Sequence, residues 1–243
     1  MKQAPVFLTG QWKHLAMLNY EIDPAILRGR VPRGTELDHW HSKTMVSVVG
    51  FMFLETCVLG IKIPFHVRFE EVNLRFYVRR KAEDGWRRGV VFIKEIVPRR
   101  AIAAAARLFY NESYIARPMR HRVELDESTA ARGVVEYGWR NAGRWNRLRA
   151  VTMGAARQLI DGSEAEFITE HYWGYATQRD GGTVEYQVEH PRWSVWDVSE
   201  HDFDCDIGAI YGAEFVESLS VPPSSAFVAL GSEITVRRGL RIA

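Results

Sequence analysis

A β-hairpin between Phe167 and Trp193 limits the folds open to this chain more than any other segment. Its turn contains Asp180, Gly181 and Gly182, residues that accept the positive φ angles required by tight hairpin turns. The runs on both sides have the composition of strands. A two-residue turn, centred on either neighbouring pair, fixes which side chains share a face of the sheet. The predicted shared face consists of His171, Trp173, Tyr175, Tyr186, Val188 and His190.

This face of the hairpin carries imidazole and aromatic side chains. Such groups combine an apolar body with a polar tip, which suits a ligand cavity that offers a few directed hydrogen bonds. Aromatic cross-strand pairs also stabilise ordinary sheets, so a plain sheet core is the alternative interpretation. The opposite face, with Glu185 and Gln187 among its residues, is predicted to be solvated.

Three further runs predict neighbouring strands of a mainly β protein. Thr44 to Leu54 is apolar on both faces, which is typical of a strand buried on both sides. Phe69 to Arg79 alternates between apolar and polar residues, and Trp86 to Val97 is its predicted partner. The polar face of the alternating run consists of Glu71, Asn73, Arg75 and Tyr77. That face looks either to solvent or into a polar cavity, and the sequence leaves both interpretations open.

The remaining elements follow from the same kinds of pattern. Strands are predicted for Gln11 to Tyr20, Val123 to Trp139, Asn146 to Met153, Trp193 to Val198 and Ala226 to Val236. Helices are predicted after Asp23-Pro24, over Arg99 to Tyr110 and over Asp206 to Leu219. Strands therefore dominate.

The length of 243 residues fits one large domain or two small ones, and no Pro/Gly/Ser-rich linker divides the chain. We expect a single domain over residues 1–243. The net charge of +2 gives no general case for a nucleic-acid partner. The two cysteines, Cys57 and Cys205, are far apart in sequence, which favours a reducing compartment over a disulfide framework. The sequence shows no signal-peptide pattern and no apolar run long enough to cross a bilayer. We therefore expect a cytoplasmic protein with no membrane partner.

Common catalytic motifs are missing from the sequence. It has no phosphate-binding glycine motif, nucleophile elbow or clustered Cys/His metal signature, so neither a cofactor nor a metal is predicted. His39 and His41 flank Trp40 without a third ligand. His171 and His190 are candidate acid-base residues because imidazole titrates near neutrality.

Glu71 is a candidate cavity acid because it shares its strand face with Asn73 and Arg75. A surface salt bridge with an arginine is the alternative interpretation of this carboxylate.

Several segments resemble acetoacetate decarboxylase and, more closely, the YqjF-like bacterial family, which is known by a domain of unknown function. The strings NYEID, FEEVNLRFYVRR, EIVPRRAIA, FITEHYWGY and VEHPRW follow the order and spacing of the YqjF-like family along nearly the whole chain. The resemblance implies an α+β, mainly β fold: an acetoacetate decarboxylase-like antiparallel β-barrel or cone with a ligand cavity and a few outer helices. It also implies that a homo-oligomer is to be expected.

The resemblance does not extend to the decarboxylase mechanism. In the decarboxylase, a proline precedes paired lysines, one of which forms a Schiff base with the substrate. The matching positions here are Arg99 and Arg100, and a guanidinium stays protonated and cannot act as that nucleophile. Lys94 is a fallback amine, and Glu21 stands where the decarboxylase has an arginine. An arginine can instead bind a carboxylate through two parallel hydrogen bonds.

Three functions remain open from the sequence. The first is a protein that binds a small molecule, such as an organic acid, inside the barrel. The candidate ligand-binding residues are Arg75, Arg99, Arg100, Trp173, Tyr175 and Tyr186. The second is a lyase, hydratase or isomerase that uses His171, His190 or Glu71 as acid or base in the same cavity. The third is a scaffold or interaction subunit without a ligand.

Overall fold

The computed structural model describes residues 3–62, 67–99, 113–128 and 132–243, and most of them lie in strands. The strands are β1 (Val6–Glu21), β2 (Glu36–Leu37), β3 (His39–Trp40), β4 (Lys43–Val58), β5 (Phe69–Ala82), β6 (Gly85–Val97), β7 (Tyr114–Ala116), β8 (Met119–Glu124), β9 (Val134–Asn141), β10 (Arg144–Arg157), β11 (Trp173–Thr177), β12 (Thr183–Glu189), β13 (Val195–Asp204), β14 (Ser225–Arg237) and β15 (Leu240–Arg241). The helices are α1 (Pro24–Leu27), α2 (Glu164–Thr169), α3 (Ile207–Ile210) and α4 (Val216–Leu219), with 3-10 turns at Arg28–Arg30 and Ala213–Phe215.

Seven strands pair in a ring in the order β12, β11, β6, β5, β4, β1 and β14, and β14 pairs back onto β12. The closing contact sets Val188 opposite Val236 and Glu189 opposite Thr235. From β14 the sheet also continues outside the ring through β13, β10 and β9 to β8. The mainly β class with a partly closed sheet is thereby confirmed. The pairing is antiparallel except where β6 meets β11 and β7, which run parallel to it.

The two faces of the ring belong to two different cores. On one face, residues such as Val48 and Leu74 pack against β9 and β10. Gly50 makes this contact possible, because a Cβ there would lie 2.5 Å from the ring of Tyr137. We call this the outer face, and the opposite one the inner face. The inner face carries apolar residues of the ring strands together with side chains of α2. The helix α2 therefore packs inside the ring.

The predicted hairpin is present as β11 and β12, but its predicted register is wrong. The structure pairs Trp173 with Gln187 and Tyr175 with Glu185. A five-residue loop, 178–182, replaces the expected two-residue turn, and its ends are joined by a hydrogen bond from the Gln178 amide to the Gly182 carbonyl of 2.7 Å.

The length of this loop explains the error. Changing from an even to an odd number of loop residues moves the pairing by one position, and a one-residue slip exchanges the faces of the sheet. Tyr186 and Val188 consequently lie on the face opposite to that of Trp173 and Tyr175. The single shared face expected for these residues does not exist.

The N-terminal part of the predicted hairpin is helical. Ser163 caps α2 by accepting a hydrogen bond from the Glu166 amide at 3.2 Å, and acidic residues occupy the first turn. This arrangement stabilises a helix N-terminus. His171 follows the helix, and β11 begins only at Trp173.

Two other predicted elements differ from the structure, and a third lies almost entirely outside the described residues. The strand predicted over Val123 to Trp139 is divided between β8 and β9. The helix predicted over Asp206 to Leu219 is broken into short pieces at Gly212, whose φ angle of 117° is incompatible with a continuous helix. The helix predicted over Arg99 to Tyr110 lies, apart from Arg99, outside the described residues. Within the described ranges, no helix is both long and apolar enough to span a membrane.

Candidate functional site

The polar face of β5 lies inside the ring and is buried. Glu71 and Asn73 are each 2% exposed, Arg75 is 8% exposed and Tyr77 is 1% exposed. Across the neighbouring strand, Ser47 lies opposite Arg75 and Phe51 lies opposite Glu71. Of the two interpretations of this alternating strand, the structure therefore excludes the solvent-facing one.

Arg75 is the unusual member of this group because its charge has no carboxylate partner within 4 Å in the described part of the chain. One terminal nitrogen, Nη2, donates to the carbonyl of Ile168 at 3.2 Å. The guanidinium carbon lies 5.7 Å from the ring centroid of Tyr77. The Nε atom is buried and has no hydrogen-bond partner. A buried charge is costly unless it is paired, so this guanidinium is available to an anion.

Arg88 provides a contrast within the same region. Its Nε donates to Oδ2 of Asp38 at 2.6 Å, and its guanidinium lies over the ring of Phe167. Burial alone would raise the pKa of Asp38, but its contacts with His171 and Arg88 outweigh burial and lower that pKa. Asp38 therefore already neutralises the charge of Arg88, whereas no carboxylate among the described residues does so for Arg75.

Glu71 and Asn73 hold each other in a fixed orientation. The amide nitrogen Nδ2 of Asn73 donates to Oε1 of Glu71 at 3.1 Å, and the hydroxyl of Tyr114 lies 3.5 Å from the other carboxylate oxygen. The carbonyl oxygen Oδ1 of Asn73 is buried and has no hydrogen-bond partner. This strand face therefore presents an unpartnered acceptor beside the unpartnered donor of Arg75.

His171 is buried between two aromatic rings of the inner core. Its ring centroid lies 4.6 Å from that of Tyr77 and 5.3 Å from that of Phe167. Burial lowers the pKa of His171 to about 4, with smaller effects from Arg88 and Arg75, although Asp38 acts in the opposite direction. His171 is therefore a neutral imidazole at pH 7.

The tautomer of His171 follows from its contact with Asp38. Nε2 lies 3.5 Å from Oδ2 of Asp38, and an ionised carboxylate can only accept hydrogen bonds. We therefore assign the ring hydrogen to Nε2. Nδ1, which is buried and has no hydrogen-bond partner, is then left as a free acceptor or base.

His171 is expected to make stability depend on pH. Its pKa is about 4 in the folded protein and 6.5 ordinarily, so between these values the unfolded chain binds a proton that the folded chain does not. The contribution of His171 to the free energy of unfolding should therefore decrease by about 3 kcal/mol as the pH falls from about 6.5 to about 4. Urea unfolding at several pH values in this range would measure it. His171→Asn should reduce the pH dependence by this contribution, and His201→Asn, at an exposed position, should not. An unchanged slope in His171→Asn would contradict the assignment.

His190 occupies a separate aromatic group. It stacks on Trp193 with ring centroids 4.2 Å apart and also contacts Tyr172 at 4.8 Å and Trp12 at 6.5 Å. Its Nδ1 donates to the carbonyl of Pro191 at 2.9 Å. Burial lowers the pKa of His190, and the charge of Arg75 acts in the same direction. The two histidines do not face each other across the hairpin, because His171 precedes β11 and His190 follows β12.

The predicted aromatic ligand residues are divided between the two faces. Trp173 and Tyr175 belong to the outer core. The guanidinium of Arg87 lies 4.2 Å from the Trp173 ring centroid, and the Tyr175 hydroxyl donates to the Arg87 carbonyl at 3.2 Å. Tyr186 is on the other face, next to Trp12, and packs so closely over Gly174 that a Cβ there would lie 2.1 Å from it. The prediction that these three residues line one cavity is therefore wrong.

The structure describes one of the two arginines at the decarboxylase-like positions. Arg99 is exposed directly after β6, and Arg100 lies outside the described residues. His39 and His41 are also exposed. No cluster of three or more His, Cys, Asp or Glu side chains suited to a metal occurs in the ranges that the structure covers.

Sequence reasoning missed two parts of this site. Asp38 lies in a short segment without periodicity, so no pattern identified it as a buried partner of His171. Asn19 and Ser47 form a buried hydrogen-bonded chain with Tyr77, with both oxygen-oxygen distances 2.6 Å. The sequence could have identified Asn19 and Ser47, because each is a polar residue among apolar neighbours.

Comparisons with known proteins place these observations in context. The chain is 27% identical over 188 residues to the uncharacterized protein YqjF of Bacillus subtilis (strain 168), covering 74% of this chain and 72% of YqjF. Its fold is similar to that of acetoacetate decarboxylase from Legionella pneumophila, with a TM-score of 0.64 and 14% identity, covering 100% of this chain and 90% of that one. It is also similar to the enduracididine biosynthesis enzyme MppR in complex with pyruvate, with a TM-score of 0.65 and 12% identity over 100% and 92% of the two chains.

At these identities the two solved structures establish the fold alone. The expected acetoacetate decarboxylase-like architecture is therefore confirmed. The family model of DUF2071, described as an uncharacterized conserved protein, matches residues 9–234, which is most of the chain. The chain therefore belongs to the DUF2071 family of uncharacterized conserved proteins.

Proposed function

We propose that this protein binds a small organic acid inside its ring of strands, with the carboxylate held by Arg75. The observation that carries the proposal is a buried guanidinium without a carboxylate partner among the described residues, whose Nε is also unpartnered. A guanidinium recognises a carboxylate through charge-assisted hydrogen bonds. The MppR structure contains pyruvate, so a similar fold holds a small carboxylate.

Lysine chemistry is not part of this proposal. The positions that match the lysine pair of the decarboxylase carry Arg99 and Arg100, and arginine does not form a Schiff base. The proposed role is binding by charge and hydrogen bonds.

A thermal-shift screen that compares acids with their uncharged amides tests this proposal. A carboxylate at about one hundred times its Kd should stabilise the protein by about 2.7 kcal/mol, which is a readily measured shift in Tm. The matching carboxamides keep the shape of the acids and lose the charge, so they should give no shift. If acids and amides shift Tm equally, or if no acid in a broad panel shifts it, recognition of a carboxylate is refuted.

Acid-base catalysis in the same place is a second candidate function. The observation that favours it is the neutral, buried His171, whose Nδ1 is an unpartnered base. Such a base can remove a proton from the carbon beside a bound carboxylate. Proton exchange into D₂O, followed by NMR on acids that bind, would detect this step. Exchange that is lost in His171→Asn while binding persists would support an enzyme, and binding without exchange would support a binding protein.

A further inference from the structure

The unpartnered atoms beside Arg75 include two hydrogen-bond acceptors. Because Nδ2 of Asn73 is held by Glu71, the unpartnered Oδ1 is fixed as the available end of the amide. Nδ1 of His171 is the second, once the ring hydrogen is assigned to the side of Asp38. A buried acceptor without a partner costs free energy, so a ligand that carries a donor is favoured here.

The spacing of these groups selects where the donor stands on the ligand. Asn73 and Arg75 are two residues apart on one strand face, a separation of about 7 Å along the strand. A carboxylate on Arg75 and a hydroxyl on the carbon next to it lie close enough together to bridge such a pair. A carbonyl at that carbon is an acceptor only, so it would oppose the oxygen of Asn73 rather than bond with it.

The surroundings of the site select the remainder of the ligand. Phe51 lies opposite Glu71 on the neighbouring strand, and its ring packs at 5.6 Å against Trp12 and at 5.3 Å against Phe53. Trp12 in turn packs against Trp193 at 6.3 Å. The inner face beside the polar group is therefore aromatic and suits an apolar substituent.

We infer that the ligand is a 2-hydroxy monocarboxylic acid with an apolar side chain, bound in preference to the corresponding 2-oxo acid. Arg75 holds the carboxylate, the hydroxyl donates to Asn73 Oδ1 or His171 Nδ1, and the apolar side chain lies against the aromatic part of the inner face. This inference rests on the proposed function, because it assumes that Arg75 binds a carboxylate.

Calorimetric titration with three matched acids tests it. The probes are 4-methylpentanoate, its 2-hydroxy derivative and its 2-oxo derivative. One satisfied hydrogen bond in a buried site corresponds to about a tenfold change in Kd, so the 2-hydroxy acid should bind at least about tenfold more tightly than either of the others. Asn73→Leu and His171→Phe, which each remove one acceptor, show when made separately which acceptor is used. The variant that loses it should reduce this preference while still binding 4-methylpentanoate.

The outcomes separate this inference from the proposed function. Equal affinity for the three acids, or tighter binding of the 2-oxo acid, would overturn the hydroxyl preference and leave carboxylate binding intact. Binding of none of them, together with no thermal shift from any acid, would overturn both. Lactate should bind more weakly than the 2-hydroxy derivative of 4-methylpentanoate, and equal affinity would contradict the apolar contact. If a variant does not fold, the order of affinities in the wild-type protein still decides the hydroxyl preference.

Discussion

Replacing Arg75 by methionine is expected to abolish carboxylate binding while leaving the ligand-free protein at least as stable as the wild type. Loss of a buried charge-assisted contact typically costs about 2–5 kcal/mol, which weakens binding by a factor of about 30 to several thousand. Stability should not fall, because the wild-type protein buries the Arg75 guanidinium without a carboxylate partner among the described residues, and apolar replacements of buried charges are often neutral or stabilising. Titration calorimetry and urea unfolding measure the two effects.

Two control variants sharpen this result. Arg79→Met changes another arginine of β5 that pairs instead with Glu36 at 2.7 Å, and it should leave binding unchanged. Arg75→Lys keeps the charge but not the fork of donors, so it should bind more weakly than the wild type and more tightly than Arg75→Met. A strongly destabilised Arg75→Met protein would show that the arginine serves the fold rather than a ligand.

Gly231→Ala is expected to lower the free energy of unfolding by roughly 3–5 kcal/mol, because backbone strain and overpacking act together. Gly231 has a φ angle of 78° and lies within β14, where a Cβ would be 1.9 Å from the carbonyl oxygen of Trp12. That oxygen is part of the backbone and cannot move without disturbing the pairing of β1 with β14. Urea unfolding of the variant tests this expectation.

Gly181 provides a matched control for the steric part of this effect. It has the same φ angle of 78°, but no atom lies within 4 Å of a Cβ added there. Gly181→Ala should therefore lower the free energy of unfolding only by the cost of the left-handed conformation, about 1–2 kcal/mol. If the two variants lost the same stability, the close approach between β1 and β14 would not be the cause.

Much of the fold could be predicted from local patterns. The alternation in Phe69 to Arg79 identified β5 and the residues of its polar face, and burial on both sides was predicted for the run that became β4. Neither pattern shows which way a face points, because solvent and a polar interior favour the same residues. Whether the polar face of β5 points to solvent or to the interior depends on closure of the ring. The ring closes through a short pairing of β12 with β14, and neither strand has a sequence pattern that predicts this pairing.

The candidate site was predicted in part. Glu71, Arg75 and His171 were identified from residue type and position, and the structure buries all three on the inner side of the ring. Trp173 and Tyr175 were assigned to the wrong face because the loop of the hairpin has five residues instead of two. The odd length of the loop thus decided which aromatic side chains share a face, and glycine content alone does not determine that length.

A crystal structure of the protein with 3-(4-bromophenyl)lactate, with the bromine located by its anomalous scattering, tests the central claim most directly. We expect the carboxylate to lie within hydrogen-bond distance of the Arg75 guanidinium, with the bromine peak inside the ring among the aromatic residues near Trp12. A bromine peak outside the ring, or a carboxylate bound elsewhere while Arg75 keeps only its contact with the Ile168 carbonyl, would contradict the account.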